Sequence, residues 1–354
     1  MKRIALLLLL AAVLHLGAQH AAAQNVVVGR CMLRLKSFAT IQAAVLAAPL
    51  NGTVFVCPGN YPEQVTLSAP VTVEGVVSGT LDRAVITVPP NGLAINTTLI
   101  EGGYQLAAQV LVTVGTPSVN ITNMTIDGTG GNPTGAFVVG IVYDLGTSGT
   151  VNKVTARNQT GVVGMGIVAQ NSLAVNGSVT IENSSIHDVN FYGIYAVSNQ
   201  TPPTLTATIR GNRVSTIPAS GNGIRDESAG TVDGNVVNAA FDGIDVLAGS
   251  TATVAANIVS NTQFGVTVSG PTNVVKSNII FNSSITGIQL YGNGATVENN
   301  SITEGPVGIE FSCFTGTVSG NTINDASTAI DSVPTSFNLV NTFQNVDTTR
   351  RGGC

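Results

Sequence analysis

The chain has 354 residues, of which only 9% are charged, and it carries a formal net charge of −5. Charged residues usually make up about a quarter of a globular chain; here Gly, Asn, Ser, Thr and Val replace them, which favours short strands and tight turns over long helices. The acidic balance excludes the basic stripe that binding to nucleic acid requires.

Residues 1–23 read as an export signal: Lys2 and Arg3 open it, Ile4 to Leu16 form an apolar run, and Ala21-Ala22-Ala23 offers a cleavage site before Gln24. The run is too short for a stable membrane span, and no later segment is long and apolar enough for one. Cleavage removes two of the 14 Lys and Arg and no acid, leaving 12 against 19 Asp and Glu, a net of −7. The expected product is a monomer, secreted or periplasmic, with no membrane insertion.

Cys31, Cys57, Cys313 and Cys354 then meet an oxidising compartment, where pairing is the default. The economical pairing is Cys31–Cys57 and Cys313–Cys354, each clamping one end and contributing about 3–4 kcal/mol. A zinc site does not fit the spacing, and His187 is the only histidine left after the signal. Residues 24–52 read as an N-terminal cap. Its helix starts from Ser37 as N-cap, places Ile41 and Val45 on one face and stops at Pro49. Gly52 to Val56 is the first expected strand, residues 53–345 the repeat domain, and residues 346–354 a tail tied back by the second disulfide. Val71 to Val163 is irregular and predicts longer loops.

From Gly166 onward a repeat sets in. Gly-Ile or Gly-Val pairs stand at Gly166, Gly193, Gly223, Gly243, Gly265, Gly287 and Gly308, and Ala329-Ile330 ends the series. The last five steps are 20 to 22 residues; the earlier steps of 27 and 30 carry insertions. Asn-x-hydrophobic triplets run in phase, beginning at Asn212, Asn235, Asn257, Asn278, Asn300 and Asn321. Runs of three to five β-type residues cannot bury a face alone, but stacked coils pair each strand above and below at about 4.8 Å. This predicts an all-β fold, a single-stranded right-handed parallel β-helix with a short capping helix. The Asn anchors fit turns, where Asn tolerates left-handed geometry and can bond to the next Asn.

Phe38-Ala39-Thr40-Ile41-Gln42-Ala43-Ala44-Val45 and Gly52-Thr53-Val54-Phe55-Val56-Cys57-Pro58-Gly59-Asn60-Tyr61-Pro62-Glu63 resemble the N-terminal cap of pectin-lyase-like β-helix proteins, pectin methylesterases among them. The resemblance implies the fold and a polysaccharide partner. It implies no particular chemistry, because the superfamily hosts lyases, hydrolases, esterases, epimerases and adhesins. The catalytic segments of the pectin methylesterases, polygalacturonases and alginate epimerases are not matched; Gly230 to Asn235 is only a partial echo of the first.

Strand alternation turns the residue after each Gly-Ile outward, giving a stripe of Tyr195, Arg225, Asp245, Thr267, Gln289, Glu310 and Asp331. The residue before each Gly adds Tyr192, Asn222, Asp242, Phe264 and Thr286. One reading is a polysaccharide groove. In it Arg225 holds a uronate or acts as a base, and Asp242 and Asp245 serve as an acid–base pair or hold a divalent cation such as Ca2+. Tyr192, Tyr195, Asn222, Asp226, Gln289 and Glu310 would contact glycan, and Glu310 above Asp331 forms a second carboxylate pair. The other reading is a solvated face with ordinary ion pairs. His187-Asp188 and the single Asp127-Gly128 turn fit surface and loop roles. Three functions stay open: a non-catalytic glycan-binding or display protein needing no cofactor, a lyase, hydrolase or epimerase on uronic-acid glycans, and a periplasmic ligand-binding or maturation protein.

Overall fold

The computed structural model describes residues 25–77, 84–113, 118–333 apart from 216, 219, 248 and 271, and 340–352. The expected export signal and Cys354 lie outside these residues. Strands rich in Val, Ile and Thr stack in parallel coils with three faces. One face runs from Gly52–Val56 through Ser118–Thr122 and Gly177–Glu182 to Ala295–Glu298. A second holds short strands such as Thr155–Arg157, Ser185–His187 and Arg213–Ser215. The third runs from Gln105–Val112 through Phe137–Tyr143, Gly164–Asn171 and Tyr192–Ser198 to Thr286–Leu290 and beyond. Among the described residues only Thr97–Thr98 pairs antiparallel, with Gln105–Leu106.

The two sequence marks are two sides of one contact. A Cβ added at Gly193 would lie 2.5 Å from Val214 Cγ1, and one at Gly287 would lie 2.5 Å from Ile302 Cγ2. Each such glycine leaves the space into which the hydrophobic residue of an Asn-x-hydrophobic triplet packs. A larger residue at either position would overfill the interior. These Val and Ile side chains join one core column running the length of the stack.

The Asn residues form a buried ladder. Asn278 Oδ1 accepts from the backbone N–H and the Nδ2 of Asn257, both at 2.9 Å, while its Nδ2 donates to Asn300 Oδ1 at 2.9 Å and Val254 O at 3.0 Å. Every polar atom of the side chain is satisfied, which is what makes burial of the amide tolerable. The left-handed geometry expected at these Asn residues falls instead on the residue before, as at Ala256, Ser277 and Asn299 with φ of 53°, 56° and 57°.

The capping helix is shorter than expected. It spans Ile41–Ala47 with Thr40 as N-cap, whose Oγ1 accepts from Ala43 N–H at 3.2 Å. Glu63 accepts from the N–H groups of Ile41 and Gln42 at 2.8 and 3.0 Å, so its carboxylate completes the cap. Ser37 is no cap, because it lies within the strand Lys36–Phe38, which pairs with Val26–Val28, and its hydroxyl donates to Gly29 O at 2.5 Å. Cys31 and Cys57 are disulfide-bonded to each other. Cys313 is also disulfide-bonded. Beyond it, Val340–Gln344 and Thr348–Gly352 pair in parallel with Gly316–Val333, so the expected tail is a further coil as far as Gly352.

Candidate functional site

The outer stripe is one continuous register on the third face. Leu111 pairs with Val142, Val142 with Val168, Val168 with Tyr195, and Tyr195 with Arg225. Asp245, Thr267, Gln289, Glu310 and Asp331 follow, one per coil. Four apolar or aromatic residues thus give way to six polar ones at Arg225. The apolar half is covered. Residues 88–104 leave the stack as a flap and return through the antiparallel pairing at Thr97–Thr98. Leu99 joins Leu106, Leu111, Val142, Val168 and Tyr195 in a second apolar cluster, separate from the core column. Gln170 fastens the flap by accepting from Ile100 N–H at 3.1 Å and donating to Thr98 O at 2.9 Å.

Arg225 stands where the flap ends. Its Nη2 meets Glu101 of the flap at 3.2 Å, its Nε meets Glu227 at 3.0 Å, its Nη1 donates to Tyr192 Oη at 3.0 Å, and Asp245 lies 3.7 Å away. Its guanidinium lies 5.3 and 5.6 Å from the ring centres of Tyr192 and Tyr195. Tyr195 donates to Glu101 and also contacts Glu227 at 2.9 Å. Burial opposes the arginine's charge, but the acidic groups of Tyr192, Asp245, Glu227 and Tyr195 outweigh it and hold Arg225 above its ordinary value. A guanidinium so held stays protonated and is no base. Its charge is already met by Glu101, Glu227 and Asp245, so it offers no free positive site for a uronate.

Asp245 and Asp242 are both nearly inaccessible, at 5% and 8% exposure, although they point away from the core. Asn222 donates to Asp245 Oδ2 at 3.0 Å and Thr267 to Asp242 Oδ1 at 2.9 Å. Burial, then the neighbouring Asp242 charge, push Asp245 up to about 7, with Arg225 opposing. Burial also raises Asp242, against the Thr267 hydrogen bond and Arg225. Two carboxylates that repel in a poorly solvated recess favour holding a proton near neutral pH.

Further along, Gln289 donates to Glu310 at 3.0 Å. Phe264 pairs in register with Asp242 and stacks edge-on against Phe241 at 5.4 Å, so it belongs to the outer face. Tyr291, not anticipated from the repeat, is 45% exposed and bonds to Gln289. Lying two residues beyond Gln289, it could have been found by the same alternation that placed the stripe. The distant Glu101 had no local signal. Asp331 is paired with Arg351 of the last coil, which takes it out of the expected pair with Glu310.

Asp226 is misplaced by the sequence reading. One residue on from Arg225, it faces inward beside Ala196 and Val246 with no exposed surface. Its Oδ1 accepts from Ser228 N–H and Oγ, its Oδ2 has no partner, and burial pushes it up to about 6. His187 contacts Asp188 at 2.6 Å at the end of a second-face strand, away from the stripe. Asp127 is held by Arg157, Asn158 and Thr129 as a structured turn. Among the described residues no three His, Cys, Asp or Glu side chains converge as metal ligands.

Three parallel faces, a continuous core column and a capping helix define a right-handed parallel β-helix. Residues 201–346 match the family described as a right handed beta helix region. The A-module of a mannuronan C-5 epimerase from Azotobacter vinelandii is similar at 19% identity and TM-score 0.57, over 87% of this chain and 94% of that one. A lacto-N-biosidase from Eubacterium ramulus is similar at 10% identity and TM-score 0.63, over 93% and 68%. A polygalacturonase from Erwinia carotovora is similar at 13% identity and TM-score 0.53, over 93% and 95%. At these identities the likeness is one of fold. No curated protein matches the chain.

Proposed function

We propose that this chain is an exported protein that binds a neutral, extended polysaccharide along the polar half of its outer face. The observation that carries the reading is the file Arg225, Asp245, Thr267, Gln289 and Glu310, one polar side chain per coil in unbroken register. Repeating donors and acceptors suit a repeating polymer, and Tyr291 and Phe264 offer rings for sugar faces beside them. The glycan-named proteins that share the fold, and the disulfide at Cys31 and Cys57, support the ligand class and export. Four carboxylates, Glu101, Glu227, Asp242 and Asp245, against one guanidinium favour a neutral glycan over a uronate. Affinity electrophoresis in gels of neutral and acidic polysaccharides tests this. A neutral polymer retards the protein, and Gln289→Ala and Tyr291→Ala each weaken retardation by about tenfold. Retardation by no polymer, or retardation indifferent to both variants, overturns it.

Hydrolysis is the second reading, favoured by the buried Asp242–Asp245 pair. With Asp245 near 7 the pair shares a proton at neutral pH, as a general acid beside an ionised partner requires. Release of reducing ends from the retained polymer, abolished in Asp245→Asn while retardation persists, is the expected result. Retention without release leaves the binding reading alone.

A further inference from the structure

The flap does more than cover apolar surface, because it ends where the polar file begins. A chain lying along the file from Glu310 toward Arg225 runs into Glu101, and beyond it the outer positions Val168 and Val142 are buried in the apolar cluster that Leu99 of the flap joins. The polar file is therefore closed on this side. At the closed end is a cavity of about 350 Å3 lined by Glu101, Tyr104, Phe137, Phe191, Tyr192 and Arg225. Its rings come as two stacked pairs, Tyr104 with Phe137 at 4.9 Å and Phe191 with Tyr192 at 4.0 Å. Aromatic faces with a few convergent polar groups are what a pyranose ring needs: its C–H face packs on a ring, and its hydroxyls bond to carboxylate and guanidinium.

We infer that this aromatic pocket receives the terminal residue of a neutral glycan, so the face recognises chain ends rather than chain interiors. The inference rests on the glycan reading above and adds where the chain stops. Arg225 links the two parts, since it lines the pocket and lies 3.7 Å from Asp245 at the head of the file. The terminal sugar thus sits against the guanidinium, and the next residues follow the coils outward.

Titration calorimetry of the full chain with cello-, laminari-, manno- and N-acetylchito-oligosaccharides of two to eight residues, and with their soluble parent polymers, tests this. Among the probes that bind, affinity per molecule should reach a plateau with length, and a polymer should take up one protein per chain end. Tyr104, 54% exposed on the flap, can be replaced without opening the core. Tyr104→Ala weakens binding about tenfold, while Tyr104→Phe, which keeps the ring, stays within about twofold. Several proteins per polymer chain, with binding lost in Gln289→Ala but indifferent to Tyr104→Ala, overturns the end pocket and leaves the groove. Binding of none of the probes overturns both.

Discussion

The outer face is one file of residues at one spacing with two opposite fates. Before Arg225 the positions are Leu111, Val142, Val168 and Tyr195, and a flap hides them. From Arg225 onward they are polar, and no second apolar cluster covers them. The backbone is the same in both halves, and Asp245, Thr267, Gln289 and Asp331 are themselves only 5–6% exposed, so the difference in what covers each half follows from side-chain chemistry. An apolar outer stripe on a solenoid costs roughly 25 cal/mol per Å2 if left in water, and the 88–104 segment removes that cost. The polar half needs no such cover.

The contrast can be broken first at its covered end. Val168→Asp places an unpaired charge in the buried cluster that Leu99 joins and should cost about 3–5 kcal/mol in urea unfolding; a cost near zero would show that the flap leaves water in place. The second test lies inside the boundary coil. Burial raises the Asp226 carboxyl from 3.8 to about 6, so the folded state holds its proton more tightly than the unfolded chain. That contribution is full below about pH 4 and lost as pH rises through 6. Between pH 4 and pH 8 the parent should therefore lose about 3 kcal/mol relative to Asp226→Asn. Parallel stability curves would show that the carboxylate is solvated. In the polar half, Thr267→Val removes one hydrogen bond to Asp242 and should cost only about 1–2 kcal/mol. A loss as large as that of Val168→Asp would erase the distinction between the halves. The smallest effect is expected at the hinge between them. Glu101→Gln weakens a partly exposed pairing with Arg225 and should cost about 1 kcal/mol or less. Its signature is faster hydrogen exchange at the flap amide of Leu99, which donates to Tyr104 O, with the coil amides unchanged.

Most of the stack was legible because its physics repeats in sequence. Gly193 and Val214 recur as a pair every coil because one makes room for the other, and Asn278 recurs because each Asn needs the next. The stripe was legible by alternation, and the same rule, applied one residue further, would have turned Asp226 inward and, two residues further, found Tyr291. Longer loops between Val71 and Val163 were expected, but the flap's place over the outer face was not legible. The flap is a single insertion with no period, and its key contact joins residues 124 positions apart, Glu101 and Arg225. Neither composition nor spacing encodes a contact made once. The cap was misread because the true N-cap is completed by Glu63, whose role depends on the chain folding back from a later strand.

The Asn ladder also has a consequence for how such a molecule can change size. Asn278 and Asn300 are 22 residues apart and occupy equivalent sites in successive coils. Excising residues 279–300 would join Asn278 to Ser301 and Ile302, restoring an Asn-x-hydrophobic triplet at the junction. The ladder, the core column and the glycine spaces would close over the cut. The face would become one rung shorter, by about 4.8 Å. Coil number is thus a ruler: duplication or loss of a whole repeat rescales the reach of the face in fixed increments while the flap and its pocket stay as they are.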